Sequence, residues 1–384
     1  MTLKNDRKIV YLAGFLFSIH LALTSYVNSS FLQSYVSENY VGLVYVLASI
    51  VTIIGLLEMP RLLRRTGNRY ATLIFSLICL VSLLALSVLN QKIPVILAFI
   101  AYFASGNFII ATLDIFVEEF SKDKNIGKLR GLFLVVANSA WVVAQMVSGT
   151  IIDKSSYKGI YVFAAVFMAL VAGIFIMFLK DFKDPVYKKV PVLKTLSFFR
   201  QDKNISRIYF INFILKFFFA WMVIYTPIFL HEHIGFTWDK IGLIFTIMLL
   251  PFVILEFPLG KLSDKIGEKK MLLSGFLITA FFALMIPFIK GADLILWAII
   301  LFGTRVGAAI IEVMSESYFF KVVNSERADA ISFFRNTYPL SYIIAPLLAV
   351  PILFLIPSFE YLFFILGAVM FCGFLITLRL KDVK

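Results

Sequence analysis

Runs of about 20 mostly apolar residues recur along this chain, at roughly 9–32, 39–60, 71–89, 95–120, 131–152, 160–179, 208–230, 241–260, 271–289, 294–320, 330–355 and 359–379. A helix rises about 1.5 Å per residue, so each run matches the ~30 Å hydrocarbon core of a bilayer. Lipid cannot satisfy free backbone polar groups, so the runs must be helices. Composition agrees: the chain is 61% hydrophobic and only 15% charged, where soluble domains carry about 25% charged residues. The eleventh run contains Pro339, Pro346 and Pro351 and is expected to kink. The first run follows the charged start MTLKNDRKIV but has no A-x-A cleavage pattern, so it reads as a retained span. Cys79 and Cys372 lie inside apolar runs and read as small buried hydrophobes.

An even number of spans puts both termini on one side. Of the 36 Lys and Arg residues, 28 fall on that side, 5 on the other, and Lys216, Arg305 and Arg335 fall within spans. Basic loops stay cytoplasmic, so both termini are expected inside the cell. The net charge of +13 then reports topology and contact with anionic membrane lipids. It does not point to nucleic acid. The expected setting is a bacterial or archaeal cell membrane.

The longest basic connection, 181–207, falls at the midpoint. It divides the chain into an N-terminal six-helix bundle (1–180), a cytoplasmic linker (181–207) in which VLKTLSFF can form a short amphipathic helix, and a C-terminal six-helix bundle (208–384). The two bundles resemble each other. At an offset of 200, Gly42 meets Gly242, Arg61 meets Lys261, Arg65 meets Lys265 and Gly67 meets Gly267. At an offset of 198, Asp114 meets Glu312 and Glu118 meets Glu316. Their shared order suggests a duplicated unit.

The segment GKLSDKIGEKK, 260–270, joins the eighth and ninth runs. It closely matches G-x-L-[aliphatic or small]-D-[RK]-x-G-[RK]-[RK] at Gly260, Asp264, Lys265, Gly267 and Lys270, with Glu268 departing from the usual basic residue. The first-half copy, PRLLRRTGNRY, has Pro60 at the glycine position and Arg64 at the aspartate position. In this motif and in its topology the chain resembles the major facilitator superfamily of secondary transporters. The resemblance implies an all-α membrane fold, with 12 transmembrane helices in two pseudo-symmetric six-helix bundles. It also implies a central cavity lined by spans 1, 4, 7 and 10, with spans 3, 6, 9 and 12 facing lipid.

The polar residues follow that division. Spans 3, 6, 9 and 12 have no Asp, Glu, Lys, Arg or His in their interiors, whereas span 1 has His20, span 4 has Asn107, Asp114 and Glu118, span 7 has Lys216, Trp221 and Tyr225, and span 10 has Arg305, Glu312 and Glu316. Charge inside a membrane costs at least ~2.5–3.5 kcal/mol, so it is kept for bundle interiors and water-filled paths. Steps of seven and four put Arg305, Glu312 and Glu316 on one helix face, and Asn107, Asp114 and Glu118 on another. His20, Asn107, Asp114, Lys216, Trp221, Tyr225, Arg305 and Glu312 are the candidate substrate and proton-coupling set. His20 reads more readily as a satisfied polar residue than as a proton relay, and Trp221 and Tyr225 read equally as cavity wall or plain packing. Gly260, Asp264, Lys265 and Gly267, with Glu58, Glu118, Arg130, Glu256, Glu316, Arg327 and Arg335, form the candidate cytoplasmic gate. The resemblance places Asp264 at the N-terminal end of span 11, where a helix dipole favours an anion by about 0.3–1 kcal/mol. Gly267 is expected to turn with positive φ.

No phosphate-binding G-x-x-x-x-G-K-[ST] loop occurs, so the driving force is expected to be a gradient of protons or another ion, with no cofactor. No nucleophile–base set suggests an enzyme. His231, Glu232 and His233 read as surface residues and not as a metal site. The expected activity is alternating-access transport of a small polar or ionisable solute, by a monomer. Efflux of drugs or other lipophilic compounds, and sugar transport, remain alternatives; span 5 lacks the proline of the drug-antiporter signature. A non-transporting scaffold or sensor is the reading from a different class.

Overall fold

The computed structural model describes residues 3–120, 126–187, 192–255, 258–259, 262, 265–323 and 328–381, and every regular element among them is helical. The chain forms two compact units, Met1–Lys189 and Val190–Lys384. Unit 1 contains α1 (Leu3–Ser25), α2 (Asn28–Gln33), α3 (Glu38–Thr66), α4 (Asn68–Val88), α5 (Lys92–Glu119) and α6 (Ile126–Met177). Unit 2 contains α7 (Val192–Gln201), α8 (Lys203–Ile228), α9 (Trp238–Ile254), α10 (Glu268–Met285), α11 (Leu294–Val322), α12 (Ala328–Arg335), α13 (Thr337–Leu353) and α14 (Tyr361–Leu378).

Ten segments among the described residues are long and apolar enough to cross a membrane. One departure from the expected spans has a local cause. The fifth and sixth runs are carried by the 52-residue α6, broken at Ser156, whose φ of 63° and ψ of −179° are not helical. Before the break, Gln145 Nε2 donates to Ala22 O at 2.7 Å. After it, Lys158 Nζ reaches Asn90 Oδ1 beyond the C-terminal end of α4, and Arg69 at the N-terminal end of α4 donates to the Ile176 and Phe178 carbonyls. Residues 158–178 therefore run antiparallel to α4. Within the eighth run the described residues form α9 and are helical again at 258–259. The eleventh is divided at Asn336, ahead of its prolines, into α12 and α13, and Pro346 and Pro351 lie within α13.

The packing pattern recurs in the two units. In unit 1, α4 packs on α5 and α6, and α3 packs on α5; in unit 2, α10 packs on α11 and α14, and α9 packs on α11. Helix starts are fixed by short side chains and glycines. Asp202 accepts from the Asn204 and Ile205 amides at the start of α8, and Asp293 does the same for Ile295 and Leu296 at the start of α11, which satisfies amides that have no partner within the helix. Gly67 precedes α4 with φ +74°, and Gly267 precedes α10 with φ +87°. A side chain at φ > 0 is strained, so both positions need glycine. Large apolar side chains such as Leu47, Ile54, Val81 and Leu97 are exposed, as suits surfaces that meet lipid.

Candidate functional site

The charged residues of α8 and α11 meet reciprocally within unit 2. Lys216 on α8 donates from Nζ to Glu312 Oε1 on α11 at 2.6 Å. In the other direction, the Arg305 guanidinium of α11 lies over the Phe218 and Phe219 rings of α8, 5.0 and 5.2 Å from their centroids. Lys216 Nζ also stands 5.2 Å from the Phe219 centroid. One ring thus faces two cations, which its negative π-face favours. Arg305 is fully buried, while Lys216 and Glu312 keep 16% and 27% of their side chains exposed. The pair can therefore exchange with solvent and still sit in a largely apolar span.

Trp221 and Tyr225 occupy the next turns of α8, both fully buried, with ring centroids 5.5 Å apart. Phe217 packs on Trp221, and Phe359 on Tyr225. Trp221 Nε1 and the Tyr225 hydroxyl have no hydrogen-bond partner among the described residues. Asn212, one turn before Lys216, donates to Thr337 Oγ1 at 2.8 Å and ties α8 to α13.

The unit 1 candidates do not form a matching cluster in what the structure describes. His20 is fully buried, with Nδ1 on the Phe17 carbonyl at 2.6 Å, Nε2 3.6 Å from Cys79 Sγ and its ring edge-on to Tyr102. It is engaged on both sides of the ring, as a core histidine is. Asn107 donates to Phe103 O at 2.8 Å on its own helix. Asp114 is half-buried on α5, and Glu118 is exposed at its end.

At the ends of the helices, Glu58 pairs with Arg61 at 2.5 Å, both more than half exposed. Lys265, Glu316 and Arg335 are exposed. Gly260, Asp264, Glu256 and Arg327 lie outside the described residues, as does the side chain of Arg130 near the start of α6.

Two contacts at this level were not foreseen. Glu268, in the first turn of α10, is 2% exposed; it pairs with Lys321 Nζ at 2.5 Å and accepts from Ser317 Oγ at 3.2 Å, both on α11. The acid at a position where the motif carries a base was the signal. Asn68, 200 positions earlier, begins α4 and donates from Nδ2 to Thr112 O on α5 at 3.0 Å. Its amide is capped by Asp184 Oδ1 at 2.7 Å. Tyr187 donates to the same carboxylate at 2.5 Å, and Arg64 donates to Tyr187 O at 3.2 Å. Burial first, and then the Asp184 carboxylate, pushes the Tyr187 phenol above its usual range.

Among the described residues no three His, Cys, Asp or Glu side chains gather as a metal site. His231 Nδ1 instead meets the Phe236 carbonyl at 2.9 Å.

No curated protein matches the sequence. Among solved structures, a POT family transporter in complex with a thioalcohol-conjugated peptide is similar in fold, with a TM-score of 0.77 over 97% of this chain and 95% of that one at 13% identity. The family model of the Major Facilitator Superfamily matches residues 10–240 and 208–384. This integral, multi-pass membrane protein belongs to the Major Facilitator Superfamily.

Proposed function

We propose that the chain is a secondary active transporter that moves a small polar or ionisable solute by alternating access, and that Lys216 and Glu312 couple this movement to protons. Both termini then face the cytoplasm, on the basic side of the chain. The carrying observation is the 2.6 Å ion pair between α8 and α11, inside spans that are largely apolar. An ion pair in such a place is stable only while both charges are present. Protonation of Glu312 removes its charge and releases Lys216. The freed ammonium and the nearby Arg305 then offer positive charge to an anionic group of the solute. When the proton leaves, Glu312 recaptures Lys216 and the solute is displaced. Each state keeps one negative partner near Lys216, so the charge inside the membrane stays balanced while the binding site changes sides.

At 13% identity the neighbour's peptide names no substrate here. A second reading, transport of a more lipophilic compound, draws on the Phe218 and Phe219 rings beside these cations. The test is transport in proteoliposomes, with a solute first found by thermal-shift screening. Glu312→Gln is expected to abolish uptake driven by a pH gradient while keeping counterflow exchange of preloaded solute. Proton-driven uptake that survives both Glu312→Gln and Asp114→Asn overturns the coupling. If no solute exchanges at all, the chain is a scaffold or sensor and not a carrier.

A further inference from the structure

We propose that the junction of α7 and α8 binds the phosphate group of an anionic membrane lipid. A cavity of about 630 Å³ opens there, with Lys203, Arg207 and Lys381 around it. Lys203 and Arg207 come from the first turns of α8, and Lys381 from the segment just beyond α14. Three cations thus converge from two separate parts of unit 2.

The acid in the cavity does not cancel them. The Asp202 carboxylate is held by two amides of α8, Asn204 N at 2.7 Å and Ile205 N at 3.2 Å. Its charge serves the helix terminus. Asn204 Oδ1 accepts from Arg207 Nη1 at 3.2 Å and from the Lys381 amide at 3.3 Å, and the Tyr318 hydroxyl donates to Lys381 O at 2.7 Å. These bonds fix the guanidinium and the C-terminal segment before any ligand arrives. The Lys203 and Lys381 ammonium groups have no ion-pair partner among the described residues.

Position identifies the ligand's chemistry. The cavity lies where α8 begins its apolar span, the depth at which lipid phosphates sit. Phe198 supplies an apolar wall. Beside it, Phe199 anchors α7 on Tyr209, Phe319 and Phe333 of the bundle, which fixes the short helix against the membrane-spanning helices. A phosphodiester with an attached glycerol and acyl chains meets both requirements. Free inorganic phosphate meets only the first.

Native mass spectrometry of the detergent-purified full chain tests this, with phosphatidylglycerol, phosphatidylcholine and inorganic phosphate as separate probes. Phosphatidylglycerol is expected to remain bound at least fivefold more than phosphatidylcholine. The Lys203→Gln/Lys381→Gln variant should lose that preference. The Lys180→Gln/Lys183→Gln variant, which removes the same charge from exposed positions that do not line the cavity, should keep it. Size-exclusion profiles matching the unsubstituted protein show that each variant is folded. Equal loss in both variants means diffuse surface attraction and overturns the site. So does retention of inorganic phosphate in place of phosphatidylglycerol, which would assign the cavity to a soluble anion.

Discussion

Glu268 Oε1 and Lys321 Nζ stand 2.5 Å apart, joining the first turn of α10 to the last turn of α11. The family motif carries a base where this chain has Glu268, so the acid sits on α10 and the cation on α11. Glu268 is buried and Lys321 is 40% exposed, so the cost of breaking the pair falls mainly on the acid. Restoring a base with Glu268→Lys sets two cations face to face, one of them buried. That should destabilise the protein by about 1–3 kcal/mol. The exchanged pair, Glu268→Lys with Lys321→Glu, should recover most of the loss. Melting curves of the purified variants measure both, and a single variant that melts with the unsubstituted protein would show that the pair contributes nothing.

Lys216 and Glu312 make a second cycle, with a different expectation. Each single neutral variant, Lys216→Met or Glu312→Met, strands a charge in an apolar span and should lower stability by about 1–3 kcal/mol, reduced from the fully buried range by the partial exposure of both groups. The double variant strands neither and should melt within about 1 kcal/mol of the unsubstituted protein. Uptake driven by a pH gradient should be lost in all three. A double variant less stable than either single one would mean that the pair holds the helices together in its own right.

The family and the helical membrane fold could be read directly from the sequence, because apolar run length and the GKLSDKIGEKK motif are local signals. So was the positive φ at Gly267, since the turn needs it whatever surrounds it. Lys216, Arg305 and Glu312 stood out because charge in a span is rare. Their pairing was not readable. Lys216 had Asp114 and Glu312 as possible partners, and only packing of α8 on α11 selects Glu312. His20 stood out for the same reason, yet its partners Phe17 O and Cys79 give it a core position that a single sequence does not announce. Asp184 was invisible: it lies 116 positions from the amide it caps.

Asp184 and Tyr187 lead to a pH-dependent expectation. Asp184 caps α4 beside Gly67, and its loss through Asp184→Ala should cost about 0.5–2 kcal/mol. Tyr187 holds that carboxylate through its hydroxyl, and its pKa is raised. A group that binds its proton more tightly when folded gives its full stabilisation below the unfolded value, here about 10, and loses it as pH rises further. The unsubstituted protein should therefore lose stability between about pH 10 and 11 more steeply than Tyr187→Phe, which has no such proton to lose. Chemical denaturation at pH 8, 10 and 11 measures the slopes, and parallel slopes would rule the contact out as the cause.

Gly307 and Gly106 separate close packing from helix propensity. A Cβ on Gly307 would lie 2.5 Å from the Gly275 carbonyl oxygen and 2.7 Å from the Thr279 amide, both backbone atoms of α10. Backbone cannot rotate aside, so α10 and α11 would have to move apart. Gly307→Ala should cost about 1–3 kcal/mol. It should also disturb the Lys216–Glu312 geometry, because α11 carries Glu312 little more than one turn further on. A Cβ on Gly106, in the middle of α5, meets nothing within 4 Å. Gly106→Ala should therefore be neutral or gain up to about 1 kcal/mol from helix propensity. Melting temperatures for the two variants, measured with transport of the screened solute, check the contrast. Equal effects would mean that the α10–α11 contact is looser than these distances state.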